Sequence, residues 1–249
     1  SFFSIYASDS VVNIYSARKE ALILPLLKSF KKETGIKFRL VTGKADGLLK
    51  RLEIEGNLSP ADLFITVDAG RLQRAKQAGV LQAINNPTLK RRIPKSLRDR
   101  DNYWFGLSQR ARTIIYNKNL VNAEDLSTYE NLASPVWKGQ LCIRSSDSIY
   151  NQSLVASMIE VNGIKKTESW ARNLVSNFAR PPTGGDTDLL KATAAGQCGI
   201  ALANTYYLGR LINSKNNEEK IAAQNLAVFW PNQGAVSYTH LRAHETSPD

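Results

Sequence analysis

The strongest constraint on the fold lies in residues 11–79, where strand-like and helix-like apolar spacing alternate three times. Val11-Val12-Asn13-Ile14-Tyr15 reads as a strand. Leu22, Ile23, Leu26, Leu27 and Phe30 then recur at helical spacing, which predicts a helix over Lys19–Thr34, ended by Gly35. Pro25 falls in its first two turns and predicts a displaced start. Ile36–Val41 is a second strand, Ala45–Glu55 a second helix, and Leu63–Ile65 a third strand. Asp68 has the chemistry to cap a third helix, which Gly79 ends. Such β-α-β-α-β-α order predicts an α/β chain with mostly parallel sheets flanked by helices.

Residues 85–103 form a polar, basic connector holding Pro87 and Pro94. Trp104–Tyr116 reads as a long strand, interrupted at Gln109–Arg112, that suits a crossing into a second domain. A short helix at Thr128–Ala133, a strand at Leu141–Ile143 and helices at Asn151–Val161, Thr167–Asn177 and Thr187–Ala195 follow. The run from Cys198 to Ala203 is a buried strand that breaks at Asn204-Thr205 and opens a helix at Tyr206-Tyr207. Leu226–Trp230 reads as a strand returning to the first domain. The expected organisation is a first lobe over 10–106 with a return at 226–234, and a second lobe over 107–225. Residues 1–9, apolar and ending in small residues, read as the remnant of an export signal. Residues 235–249 break with the preceding pattern and read as a non-native tail.

No run approaches the roughly 18 apolar residues of a membrane span. The net charge of +11 suggests nucleic acid first. The basic residues, however, are spread along the chain without interleaved aromatics, so an anionic ligand or surface is the alternative. Both histidines, His240 and His244, lie in the suspect tail. The body therefore lacks the parts of a Ser-His or Cys-His arrangement and of an ordinary zinc site, and no enzyme is expected. Cys142 and Cys198 fit an exported disulfide or two core thiols.

Tyrosines stand at strand-to-helix transitions: Tyr15, Tyr150, Tyr206 and Tyr207. Ligand sites of open α/β sheets lie at the carboxyl ends of strands. One spacing repeats, since Cys142 precedes Tyr150 and Cys198 precedes Tyr206 by the same interval. Neighbouring strands would bring both tyrosines to one rim and the two sulfurs together behind it. A small, highly charged cation deprotonates a phenol and takes it as a hard oxygen donor, and ferric iron matches such a set. Arg110 and Arg112, two residues apart, share a face if they lie on a strand and would offset excess negative charge.

At these residues the chain resembles the ferric-iron-binding periplasmic substrate-binding proteins of bacterial ABC iron uptake, in their tyrosine-rich variety. The matching stretches are Asn13-Ile14-Tyr15-Ser16-Ala17-Arg18, Ser59-Pro60-Ala61-Asp62, Arg110-Ala111-Arg112, Tyr150-Asn151-Gln152-Ser153-Leu154-Val155 and Ala203-Asn204-Thr205-Tyr206-Tyr207. The resemblance implies a two-lobed, type 2-like periplasmic-binding-protein fold whose C-terminal part is missing here. It implies Tyr15 from the first lobe, and Tyr150, Tyr206 and Tyr207 from the second, as ligands of Fe(III). Arg110, Arg112 and Arg18 would lie beside the metal or bind a synergistic anion. It also implies a monomeric, exported protein, periplasmic or membrane-associated, that hands iron to an ABC permease and needs no nucleic acid. A binding protein of the same fold for an anion or other small ligand is the first alternative, and a basic nucleic-acid-binding protein the second. Val67 stands where some members carry an acidic ligand, and the early histidine of others is absent.

Overall fold

The structure, a computed structural model, describes residues 10–233. The sequence-based readings of 1–9 and 235–249, with His240 and His244, lie outside the described residues. The chain divides into two units, Ser1–Leu107 and Ser108–Asp249.

The first unit follows the predicted alternation: β1 (Val11–Ser16), α1 (Glu20–Thr34), β2 (Lys37–Thr42), α2 (Ala45–Glu55), β3 (Leu63–Ile65) and α3 (Ala69–Gln77). Its sheet has the order β2-β1-β3 and is parallel throughout. Helices cover both faces because side chains alternate along β1. Ile14 packs with Ile23 and Leu27 of α1, and the next residue, Tyr15, packs with Leu48 and Leu52 of α2. Gly35 ends α1 in the left-handed region, at φ 73, and donates to the Lys31 carbonyl. Pro25 does not displace the start of α1; it lies inside the helix, whose first turn opens at Glu20.

The connector contains more order than its composition suggests. Asn86 accepts from the N–H groups of Thr88 and Leu89 and caps α4 (Pro87–Arg92), with Pro87 in the first turn where its missing N–H costs nothing. A short 3-10 turn, Lys95–Leu97, follows, and Arg98 bridges to Phe105.

The second unit contains β4 (Arg112–Asn117), β5 (Leu141–Cys142), α5 (Ile149–Asn162), α6 (Ile164–Ser176), α7 (Asp186–Ala194), β6 (Ile200–Asn204), α8 (Thr205–Ile212), α9 (Asn217–Gln224) and β7 (Leu226–Phe229). The sheet order is β5-β6-β4-β7. Only the β5–β6 pair is parallel, so this sheet is mixed rather than mostly parallel. Three expectations are corrected. The long strand from Trp104 shrinks to Arg112–Asn117, leaving Arg110 outside it. Leu226–Phe229 does not return to the first unit, because its backbone pairs antiparallel with β4, Ile115 opposite Val228. The residues 130–133 form a 3-10 turn. One core face holds Ile114, Trp137, Leu141, Met158, Trp170 and Leu202, and the other Ile115, Leu189, Leu190, Ala201 and Leu226. Cys142 and Cys198 form a disulfide within the second of these cores, tying β5 to the start of β6. Among the described residues, no helix is long and apolar enough to cross a membrane.

Candidate metal centre

The carboxyl ends of β5 and β6 lie side by side because these strands are parallel, and each feeds a helix. Tyr150 is the second residue of α5, and Tyr206 and Tyr207 open α8. The structure brings these phenols together. The Tyr206 hydroxyl donates to the Tyr150 hydroxyl at 3.4 Å, and the Tyr206 and Tyr207 rings are tilted with centroids 4.3 Å apart. All three are half-buried. Burial pushes each phenol above its ordinary value. Without a cation the three are therefore neutral phenols near neutral pH. Among the described residues, no group of three or more His, Cys, Asp or Glu is arranged to hold a metal.

Guanidinium groups surround the rings. Arg110 lies 5.8 Å from the Tyr206 centroid, and Arg112 and Arg144 lie 5.9 and 5.7 Å from that of Tyr150. Arg210 lies 5.4 and 5.3 Å from Tyr206 and Tyr207. A cation over an aromatic face is attracted by the ring's quadrupole, and more so once the ring carries a phenolate charge.

Arg112 is not a solvated edge residue. Its side chain is 3 % exposed and reaches Asp186 at 3.3 Å, with the Asp186 side chain 0 % exposed. Arg112 also donates to Asn151 Oδ1 at 2.7 Å and to the Leu202 carbonyl at 2.9 Å. Arg144 approaches the other Asp186 oxygen at 3.8 Å. Burial pushes the Asp186 carboxyl up, and Arg112 and Arg144 pull it back. Asn151 donates in turn to the carbonyls of Arg144 and Ser145, fixing the loop before Tyr150. The Tyr129 hydroxyl donates to the Arg112 carbonyl, a structural use of a phenol.

Tyr15 is placed differently. It is 2 % exposed, and its hydroxyl donates to both oxygens of Glu55 at 2.9 and 3.0 Å. Arg51 lies over the ring at 4.7 Å. Burial, then the Glu55 carboxylate, push this phenol up, which opposes the anionic form a metal needs. Ser59 donates to Glu55, and Asp62 accepts from the backbone and side chain of Asn13. The stretches around Tyr15 and Asp62 thus fasten β1 to α2 and to the entry of β3. Arg18 is half-buried, and its backbone N–H donates to the Ser16 hydroxyl.

Sequence reasoning missed Asp186, Arg144 and Arg210. Arg210 carried a readable signal, since it stands four residues after Tyr206 and three after Tyr207 on one helix. Asp186 carried none, because its partner Arg112 is distant in sequence.

Comparison with known proteins supports the same reading. The family of bacterial extracellular solute-binding proteins matches residues 59–243. The chain is 49 % identical to iron uptake protein A1 of Synechocystis over 89 % of this chain and 62 % of that protein. It is 30 % identical to an Fe(3+)-binding periplasmic protein of Serratia marcescens over 81 % of this chain and 59 % of the other. Among solved structures, a Trichodesmium protein (IdiA, FutA) in complex with iron and citrate is 51 % identical, with a TM-score of 0.88 over 91 % of this chain and 72 % of that one. A ferric binding protein from Campylobacter jejuni is 40 % identical, with a TM-score of 0.83 over 90 % of this chain and 71 % of that one. The chain spans less than two thirds of the length of these curated relatives. It has the periplasmic-binding-protein α/β fold of those structures, and with the family matching more than half of its length it belongs to the bacterial extracellular solute-binding proteins.

Proposed function

We propose that this chain is an extracytoplasmic solute-binding protein that captures ferric iron through Tyr150, Tyr206 and Tyr207 and delivers it to an ABC permease. The convergence of three phenols at adjacent strand ends carries the reading. The names of the relatives, iron uptake and ferric binding, agree with it. Three phenolates balance a trivalent cation. The guanidiniums of Arg110, Arg144 and Arg210 leave the surroundings positive, which favours an anion as a further oxygen donor. A relative solved with iron and citrate fits that role for an anion. The protein works by charge and coordination rather than by catalysis, as a monomer in the periplasm. Tyr15 is left out of the donor set, because its hydroxyl is committed to Glu55. Arg18 is left without a part in it as well.

Visible titration with a chelated ferric salt tests this. The wild type should develop a phenolate-to-iron charge-transfer band. Tyr206→Phe and Tyr207→Phe keep the ring and delete the donor, and each should weaken retention by more than the roughly 10–100-fold typical of losing an outer partner of a metal ligand. Tyr15→Phe and Tyr116→Phe should keep the band. A colourless wild type, or Phe variants at 206 and 207 that titrate like it, would refute the tyrosine site. An anion-binding protein of the same fold would be colourless and would bind citrate without iron.

A further inference from the structure

We propose that the face of the first unit carried by residues 86–100 is an electrostatic docking surface for an anionic lipid bilayer. The chain's excess positive charge is unevenly shared. Residues 1–107 hold 19 Lys and Arg against 10 Asp and Glu, a net +9, while residues 108–249 hold 14 against 12, a net +2. A whole-chain count hides this concentration, and so does reading the connector as unstructured.

Within the segment, Lys90, Arg91, Arg92, Lys95 and Arg100 are all exposed. Lys90 donates to the neutral Asn85 side chain at 2.7 Å, which leaves its charge uncompensated. Arg91, Arg92, Lys95 and Arg100 have no ion pair or side-chain hydrogen bond among the described residues. The nearby carboxylates do not neutralise them, because Asp99 and Asp101 both take Lys76, at 2.9 and 2.6 Å. The cations are also held in place. Asn86 caps α4, Ile93 is buried, and buried Asp99 accepts from the backbone of Asp101 and Tyr103.

The chemistry selects a lipid surface over a macromolecule with a defined epitope. A protein partner is anchored by buried aromatic or apolar side chains. Here Ile93 is buried, Leu89 and Leu97 are half-buried, and residues 86–100 contain no exposed large hydrophobic side chain. A single-stranded nucleic acid would need aromatic platforms, and the segment has no aromatic residue. A cluster of about four to eight basic residues suffices for anionic lipid, because the attraction needs a charged plane and no fixed register.

Vesicle co-sedimentation of the full chain tests the proposal, with phosphatidylcholine alone and phosphatidylcholine mixed with phosphatidylglycerol. Binding is expected only to the mixed vesicles and should fall as salt shortens the Debye length. Reversing three charges, Lys90→Glu with Arg91→Glu and Arg92→Glu, should lower partition by about 100-fold or more. Three reversals on exposed residues of α1, Lys28→Glu, Lys31→Glu and Lys32→Glu, should lower it less than about tenfold. Should reversal perturb α4, judged by the unfolding midpoint, the Gln triple at 90–92 replaces it and should still lose more than its α1 counterpart. Absence of binding to mixed vesicles, binding indifferent to salt, or equal losses from the two triples would overturn the proposal. So would a triple at 90–92 that keeps wild-type partition but loses affinity for polyglutamate, which assigns the face to an acidic protein instead.

Discussion

Asp186→Ala is expected to lower the free energy of unfolding by about 3–5 kcal/mol, the usual cost of removing one member of a buried ion pair. Arg112 would remain buried, still bonded to Asn151 and Leu202 but without its carboxylate. Its guanidinium cannot shed its proton to relieve the penalty. Arg144 is a quarter exposed and can turn toward water, so it adds little to the cost. Replacing both members, Arg112→Met with Asp186→Leu, should recover most of the loss, because two apolar groups need no compensation. Urea unfolding of the two variants measures this. A cost below about 1 kcal/mol for Asp186→Ala would mean that the pair contributes little beyond a surface salt bridge. The same variant should disturb the site, since Arg112 and Arg144 both border the Tyr150 ring.

Loss of the disulfide has an effect of similar size and a different origin. Cys142 and Cys198 are 56 residues apart, and in the chain-entropy treatment closing a loop of that length stabilises the fold by about 4 kcal/mol. The term acts on the unfolded ensemble, so Cys142→Ser with Cys198→Ser should destabilise the second unit while leaving its native backbone in place. The sulfurs lie in a core lined by Leu189, Ala201 and Leu226, which two hydroxyls would make less favourable still. Reduction under native conditions should lower the thermal midpoint, and thiol titration of the unreduced, denatured protein should find no free thiol. Two titratable thiols, or an unchanged midpoint after reduction, would contradict this assignment.

Residues 11–79 of the first unit were legible element by element because their strands and helices have distinct apolar periods and each helix ends at a glycine or a cap, whereas α4 in the polar connector was not. The second unit was legible in its elements but not in its pairing. Leu226–Phe229 has the composition of a strand, and nothing local says that its partner is β4. Helix α9 went unread because it is short, although Asn216 accepts from Glu218 N–H as an ordinary cap. At the site, Tyr150 and Tyr206 do meet beyond the ends of two parallel strands, although the register sets Cys142 opposite Ala201 rather than Cys198, so the shared interval from cysteine to tyrosine is not itself the strand register. Tyr15 stands apart from Tyr150, Tyr206 and Tyr207. Strand alternation states that Ile14 and Tyr15 face opposite ways, but only the packing of Leu48 and Leu52 and the reach of Glu55 put the Tyr15 side in a closed core. Arg110 and Arg112 likewise part company, because β4 begins at the second of them.

Protons released on ferric loading test the tyrosine centre most directly. Burial holds all three phenols above their ordinary value, so under the proposed coordination each would enter the complex as a neutral group and would have to give up a whole proton. Binding should therefore strengthen as pH rises and weaken as it falls, because low pH returns protons to the donors. Titrating the iron-free protein with a ferric chelate of known proton balance, in weakly buffered solution near neutral pH, should release about three protons per iron from the protein. Tyr206→Phe should release one fewer, and Tyr15→Phe the same number as wild type. Iron bound with no protein proton released, or with equal release from the wild type and Tyr206→Phe, would contradict coordination by these phenolates.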